Sequence, residues 1–204
     1  MAERKDFEVC LGLKRAEERI CRLAKPFLTV RDNDVHTRVA IEFALRLLGI
    51  EKADRDIVVP AVILHDVGYD SLPEELMLRA YGPRKEQHIT RMHEQEGARI
   101  AAAILNDVGY DTSKTAEILE IIEGHDTRPV ALSINDQVVK DADKLTRYGR
   151  DLRSWPLSFF STPQEAAVRL EQVVDEWFFL NSSKVVAREE LKQRRIEAGQ
   201  LVDK

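Results

Sequence analysis

Ala61-Val62-Ile63-Leu64-His65-Asp66-Val67-Gly68-Tyr69 is an apolar run that ends abruptly in an imidazole and a carboxylate placed side by side. A metal ion is the simplest reason for such a pair. Imidazole nitrogen and carboxylate oxygen together suit iron, manganese or zinc, and adjacent residues can reach one ion where a helix ends and its last side chains splay. Taken alone the dipeptide is weak evidence, because a helix C-terminus with a favourable His and a Gly stop is the ordinary alternative. The placement of the other histidines decides between the two.

Working outward, apolar residues recur with helical spacing along the whole chain, and no stretch alternates with period two, so an all-α bundle of about seven to eight helices is expected and no sheet. The His-Asp pair closes a helix over about residues 54–66, in which Pro60 implies a kink or a late start. Upstream, Phe7, Cys10, Leu11, Ile20 and Leu23 mark a helix over about 6–25 ended by Pro26, with Cys10 and Cys21 on one face as core thiols. A helix over about 35–48, capped from the 31–34 segment and stopped at Gly49, carries His36 at the head of its inner stripe. Downstream, residues 71–87 read as a loop with one short helical turn near 74–80, and His88 is left in solvent. A helix over about 89–108 turns His93 inward with Gly97 and Ala101. A fifth, capped by Thr112, leads into Gly124-His125-Asp126, so a second helix ends in His-Asp.

The next helix begins near Ser133 and contains Lys140-Asp141-Ala142-Asp143-Lys144-Leu145. Two carboxylates two residues apart point about 200° from each other, so one of them at most faces a given site. Periodicity prefers Asp141, which shares its side with Ile134, Val138, Ala142 and Leu145. Thr162-Pro163 starts an apolar helix running to about 180. The last helix, about 183–200, is rich in Lys, Arg and Glu and reads as solvated, with a homodimer contact as the other use of it.

Composition bounds the function. The 204 residues are 44% hydrophobic and 33% charged with a net charge of −5, which fits one helical domain with its C-terminal helices packed on a core spanning about 30–150. A mildly acidic chain without a basic stripe argues against nucleic acid as the main partner. No apolar run approaches the roughly 20 residues of a membrane span, and the charged N-terminus is not a signal peptide, so no membrane is expected and the cytoplasm is the default location.

Imidazoles at 36, 65, 93 and 125 and carboxylates at 66 and at 141 or 143 thus stand at the starts and ends of successive inward stripes, where a bundle could converge them on one cavity. The order His36, His65-Asp66, and Asp143 before Lys144-Leu145 resembles the HD-domain superfamily of metal-dependent phosphohydrolases, an all-helical fold. The resemblance covers about residues 30–150. It implies Asp143, not Asp141, as the last ligand, and His93 and His125 match the two extra histidines of the two-metal branch. The implied set is therefore His36, His65, Asp66, His93, His125 and Asp143, with Asp66 bridging two divalent ions: Fe, Mn or Ni, with Zn or Mg also compatible. No Gly-Tyr-Pro follows His125, Val67 replaces a Lys, and the Glu-Asp pair of alarmone hydrolases is missing, so no subgroup is singled out.

Two such ions roughly 3.5 to 4 Å apart can acidify a bridging water and stabilise a leaving oxygen. The expected activity is hydrolysis of a phosphate ester or nucleotide, with Asp66 and Lys144 as catalytic residues. Arg84, Lys85 and Arg91 are candidates to neutralise the substrate phosphate. Asp126 is a candidate to orient a neighbouring ligand, and Glu94 or Glu96 to do the same for His93. The same six-ligand pattern also occurs in mixed-valence di-iron oxygenases on this scaffold, which is the rival reading.

Overall fold

The structure, a computed structural model, describes residues 12–77, 79 and 80, 85–149 and 162–197. Within them lie nine helices and no strand: α1 (Arg15–Ala24), α2 (Asn33–Leu48), α3 (Arg55–Leu64), α4 (Glu74–Met77), α5 (Gln87–Val108), α6 (Thr112–Ile122), α7 (Ile134–Leu145), α8 (Pro163–Trp177) and α9 (Asn181–Glu197). Eight are full helices, and α4 is the single turn expected in the loop. Cys10 lies outside the described residues, as does the first part of the expected N-terminal helix. Cys21 is buried.

Helix α3 is the centre of the bundle, because Ile57 to Leu64 are buried without interruption. It packs against α1, α2, α6 and α7. Pro60 lies inside this helix and cannot donate to the carbonyl four residues earlier, that of Asp56. That carbonyl instead accepts from the Tyr110 hydroxyl at 2.6 Å. An outside donor thus replaces the missing bond, and α3 starts at Arg55 and continues past Pro60, so the late start does not occur. Its start is secured by Asp54, which accepts from Asp56 N at 2.8 Å.

Two helix starts differ from expectation. Asp32, in the left-handed region at φ 55°, precedes α2 without a side-chain cap. Asp111, not Thr112, caps α6 by accepting from the amides of Ser113 and Lys114. Helix α5 stops at Gly109, whose φ of +69° suits a residue with no Cβ.

A close approach sets α5 against the end of α3. A single 3-10 turn, Val67–Ser71, follows His65-Asp66 and lies on α5. A Cβ on Gly68 would stand 1.9 Å from the His93 carbonyl oxygen and 2.5 Å from Gly97 N, so two backbones touch where a side chain would part them. This is the contact that carries His93 to the His-Asp pair.

The charge-rich last helix is not merely solvated. Helix α9 buries Ser183, Val186, Ala187 and Leu191, and packs on α7 and α8. Arg46 of α2 pairs with Glu189 and Glu190 on it. The charges cover one side while a narrow apolar stripe joins the core.

Candidate metal centre

Four imidazoles from four different elements meet around Asp66. His36 comes from the first turn of α2, His65 from the C-cap of α3, His93 from α5 and His125 from the turn after α6. Ring centres are 5.2 Å apart for His36 and His65, 5.1 Å for His65 and His125, and 5.2 Å for His93 and His125. His65 and His125 are oriented alike. Their Nδ1 atoms lie 2.7 Å from Val62 O and 2.8 Å from Ile122 O. A carbonyl only accepts, so each Nδ1 carries a proton and Nε2 is the atom each ring turns to the cluster, its lone pair open to an ion whenever the ring is neutral.

Asp66 divides the donors into two sets. Its Oδ2 is 3.5 Å from His36 Nε2 and 3.4 Å from His65 Nε2, and Asp143 Oδ1 adds a contact of 3.2 Å to His36. Its Oδ1 is 3.6 Å from His125 Nε2 and 3.9 Å from His93 Nε2, and Asp126 Oδ2 also stands 3.9 Å from His93. Ligands about 2.1 Å from one ion and at right angles to each other are about 3 Å apart, so this spacing suits atoms sharing an ion. Three groups could hold one: His36, His65 and Asp143; His65, Asp66 and His125; and His93, His125 and Asp126. The donor set fits a divalent metal in chemistry as well, being imidazole nitrogen and carboxylate oxygen throughout.

Electrostatics agree with that fit. Burial alone would raise the carboxyl of Asp66, but His65, the hydrogen bond from His125 and His36 hold it far below the usual range. Asp143 is likewise buried and likewise held low, by Arg147 and then His36. Burial pushes His93 down to about 4 and also lowers His65. Burial opposes the charge on His125, yet Asp66, Asp126 and Glu94 together raise it to about 9. Without a cation, a proton on His125 partly balances the anionic centre.

The two aspartates of α7 separate cleanly. Asp143 joins the cluster, whereas Asp141 accepts from Phe179 N at 3.0 Å and Leu180 N at 2.9 Å and ties α7 to the α8–α9 junction. The periodicity preference for Asp141 fails because α7 is buried on more than one side: Asp141 is on an inner face, but the face towards α9.

The other sequence candidates are placed as follows. Lys85 Nζ is 3.1 Å from Asp126 Oδ1, at the edge of the cluster. Arg91 pairs with Glu123 at 2.6 Å and with Glu94 at 3.3 Å. Lys144 donates to Trp177 O at 2.6 Å and lies 4.8 Å over the Phe179 ring, so its charge reaches Asp143 only through space. Arg84 lies outside the described residues. His88 is exposed. Glu94 does not serve His93; it accepts from the amides of Asp126 and Thr127, both at 2.8 Å, and thereby fixes the turn that presents His125. Glu96 pairs with Arg99.

Three contributors went unread in the sequence. Tyr69 stacks on His93 with ring centres 4.0 Å apart and an interplanar angle of 14°. Lys140, almost wholly buried, donates to His125 O at 2.9 Å, to Arg128 O at 3.0 Å and to Gly124 O. Arg147 stands one turn beyond Asp143, with Nη1 3.4 Å from its Oδ2. The legible signal for Lys140 was a lysine inside an apolar stripe, and for Arg147 the i, i+4 spacing from Asp143, a candidate ligand.

Comparison with protein families matches the HD domain over residues 34–148. The chain belongs to the HD-domain family. The HD match contains all six candidate metal-binding residues and ends before α8. HD domains bind divalent metals and their superfamily is generally one of hydrolases, in keeping with the His and Asp groups that could bind metal here. No curated protein and no solved structure matches the chain. Among the described residues no helix is long and apolar enough to cross a membrane.

Proposed function

We propose that this protein is a phosphohydrolase acting on a phosphate ester or nucleotide, with two divalent ions per chain. The observation that carries the reading is Asp66, which turns one oxygen to His36 and His65 and the other to His93 and His125. That is the disposition of a carboxylate shared between two ions. His36, His65 and Asp143 would hold one and His93 and His125 the other, with Asp126 beside it. When bound, ions so placed acidify a water and draw charge from a phosphoryl oxygen.

The chain's own groups do the rest. Val62 O and Ile122 O fix the tautomer of the two helix-terminal imidazoles, so no reorientation is needed on loading. Glu94 and Lys140 hold the His125 turn from opposite chemical sides, one accepting its amides and one donating to its carbonyls. Lys85, still 37% exposed while paired with Asp126, is positioned to exchange that partner for a substrate phosphate.

The test is elemental analysis of protein purified anaerobically without chelator, followed by assay of the Mn²⁺, Fe²⁺ and Ni²⁺ forms on phosphate esters and nucleotides. Two metals per chain and oxygen-independent phosphate or nucleoside release are expected, lost in His65→Ala and Asp66→Ala. Turnover confined to the iron form and dependent on oxygen, with no hydrolysis, would decide for a di-iron oxygenase.

A further inference from the structure

A row running from α7 into the turn after it contacts the end of α8 and the junction to α9 at three points. Asp141 accepts the amides of Phe179 and Leu180, Lys144 donates to Trp177 O, and Arg147 lies with its guanidinium carbon 5.9 Å from the centre of the Trp177 ring. The third of these contacts differs from the other two, because Arg147 also faces the metal ligands. Its Nη1 is 3.4 Å from Asp143 Oδ2 and 3.3 Å from Asp143 O. Asp143 Oδ1, the other oxygen, is the one turned to His36 and His65. The guanidinium therefore stands at the outer edge of the ligand carboxylate, within reach of the charges of Asp126 and Asp66 too, and its side chain keeps 23% exposure.

A cation so placed is, with Lys85, a second positive group on a carboxylate of the cluster. Lys85 sits on Asp126 and Arg147 on Asp143, so two carboxylates of the cluster each carry a positive partner. Arg differs from Lys in presenting a rigid fork that matches two oxygens of a phosphate at once, and an indole face within cation–π range, as Trp177 is here, favours one placement of the guanidinium. Trp177 lies beyond the stretch that the HD domain matches, so the partner that orients this arginine comes from the C-terminal helices and not from the family core.

We propose that Arg147, oriented by Trp177, binds the phosphoryl oxygens of the substrate at the Asp143 end of the centre. Trp177 is then a positioning residue, and α8 and α9 bear on substrate recognition through it. The inference rests on the phosphohydrolase reading above.

The experiment measures binding of inorganic phosphate by calorimetry to the Mn²⁺-loaded full chain, alongside metal content, for wild type, Arg147→Gln, Arg147→Lys, Trp177→Phe and Trp177→Leu. Arg147→Gln should keep its metal and lose phosphate affinity by about tenfold or more, with Lys restoring part of it. Trp177→Phe should bind close to wild type and Trp177→Leu several-fold more weakly, a contrast that loss of bulk packing alone would not produce. Undiminished binding in Arg147→Gln would overturn the assignment, as would loss of metal in it, which would make Arg147 a support for Asp143. If wild type itself binds no phosphate, it is the phosphohydrolase reading that falls.

Discussion

Replacing Gly68 by alanine puts a methyl group where two backbones already touch. The added Cβ would lie 1.9 Å from His93 O, 2.5 Å from Gly97 N and 2.9 Å from Gly97 Cα. All three are main-chain atoms of α5, so no side chain can rotate away. Reaching ordinary contact with the carbonyl oxygen requires α5 to retreat by about 1.5 Å from the turn after the His-Asp pair. Overpacking at well-fitted sites costs about 1–3 kcal/mol, and a backbone collision belongs at or above the top of that range. For a chain of this size each kcal/mol lowers Tm by roughly 2–4 °C, so a fall of about 6–12 °C is expected. The retreat carries His93 with it, and ligand positions tolerate only about 0.2 Å, so the His93 side of the centre should lose its metal. Calorimetric melting of the metal-free protein and elemental analysis of the loaded protein test both parts. Gly97→Ala is the control. Its Cβ meets nothing closer than 3.4 Å, and alanine is favoured by about 1 kcal/mol over glycine inside a helix, so it should be neutral or mildly stabilising. A Gly68→Ala protein that melts within about 2 °C of wild type and keeps its full metal content would refute the argument.

Asp143→Asn should abolish metal binding at the His36 side while leaving the metal-free Tm near wild type. Asp141→Asn should do the reverse, keeping metal and losing about 1–3 kcal/mol, since one of the amides of Phe179 and Leu180 is left without an acceptor; both are read by melting and metal titration, and exchanged phenotypes would contradict the assignment. Metal affinity should rise with pH. In the metal-free protein His125 keeps its proton up to about pH 9, the ion must displace that proton, and affinity should therefore climb about tenfold per unit between roughly pH 6 and 9 and then level off. A flat profile between pH 6 and 8 in competition titrations would rule this out. Lys140→Met strips the donor from the carbonyls of Gly124, His125 and Arg128, so a loss of about 1–3 kcal/mol with weaker metal binding is expected. An unchanged melting curve would show that the turn holds itself.

The residue types of the centre and the helices that carry them were legible in the sequence, because helical periodicity and helix-end chemistry are local. A His-Asp pair closing an apolar run and inward histidines on α2 and α5 need only a count of three or four residues to read. Direction was legible only where a helix has a single inner side. Asp141 sits on the apolar stripe of α7 and still faces α9, not the cluster, since α7 is enclosed by α2 and α3 on one side and by α9 on another; the choice of Asp143 came from resemblance alone. The charged C-terminal helix was expected to pack on the core, but its buried face was not legible, because Val186, Ala187 and Leu191 are too sparse to define one until α7 and α8 are there to receive them. What only the tertiary structure decided are contacts between elements distant in the chain. Gly68 against the His93 backbone, Tyr110 replacing the bond that Pro60 cannot make, Lys140 on the His125 turn, and Trp177 under Arg147 each depend on which helices abut. Local pattern carries no information about that, because any residue of one helix is chemically free to meet any residue of another until packing brings the two together.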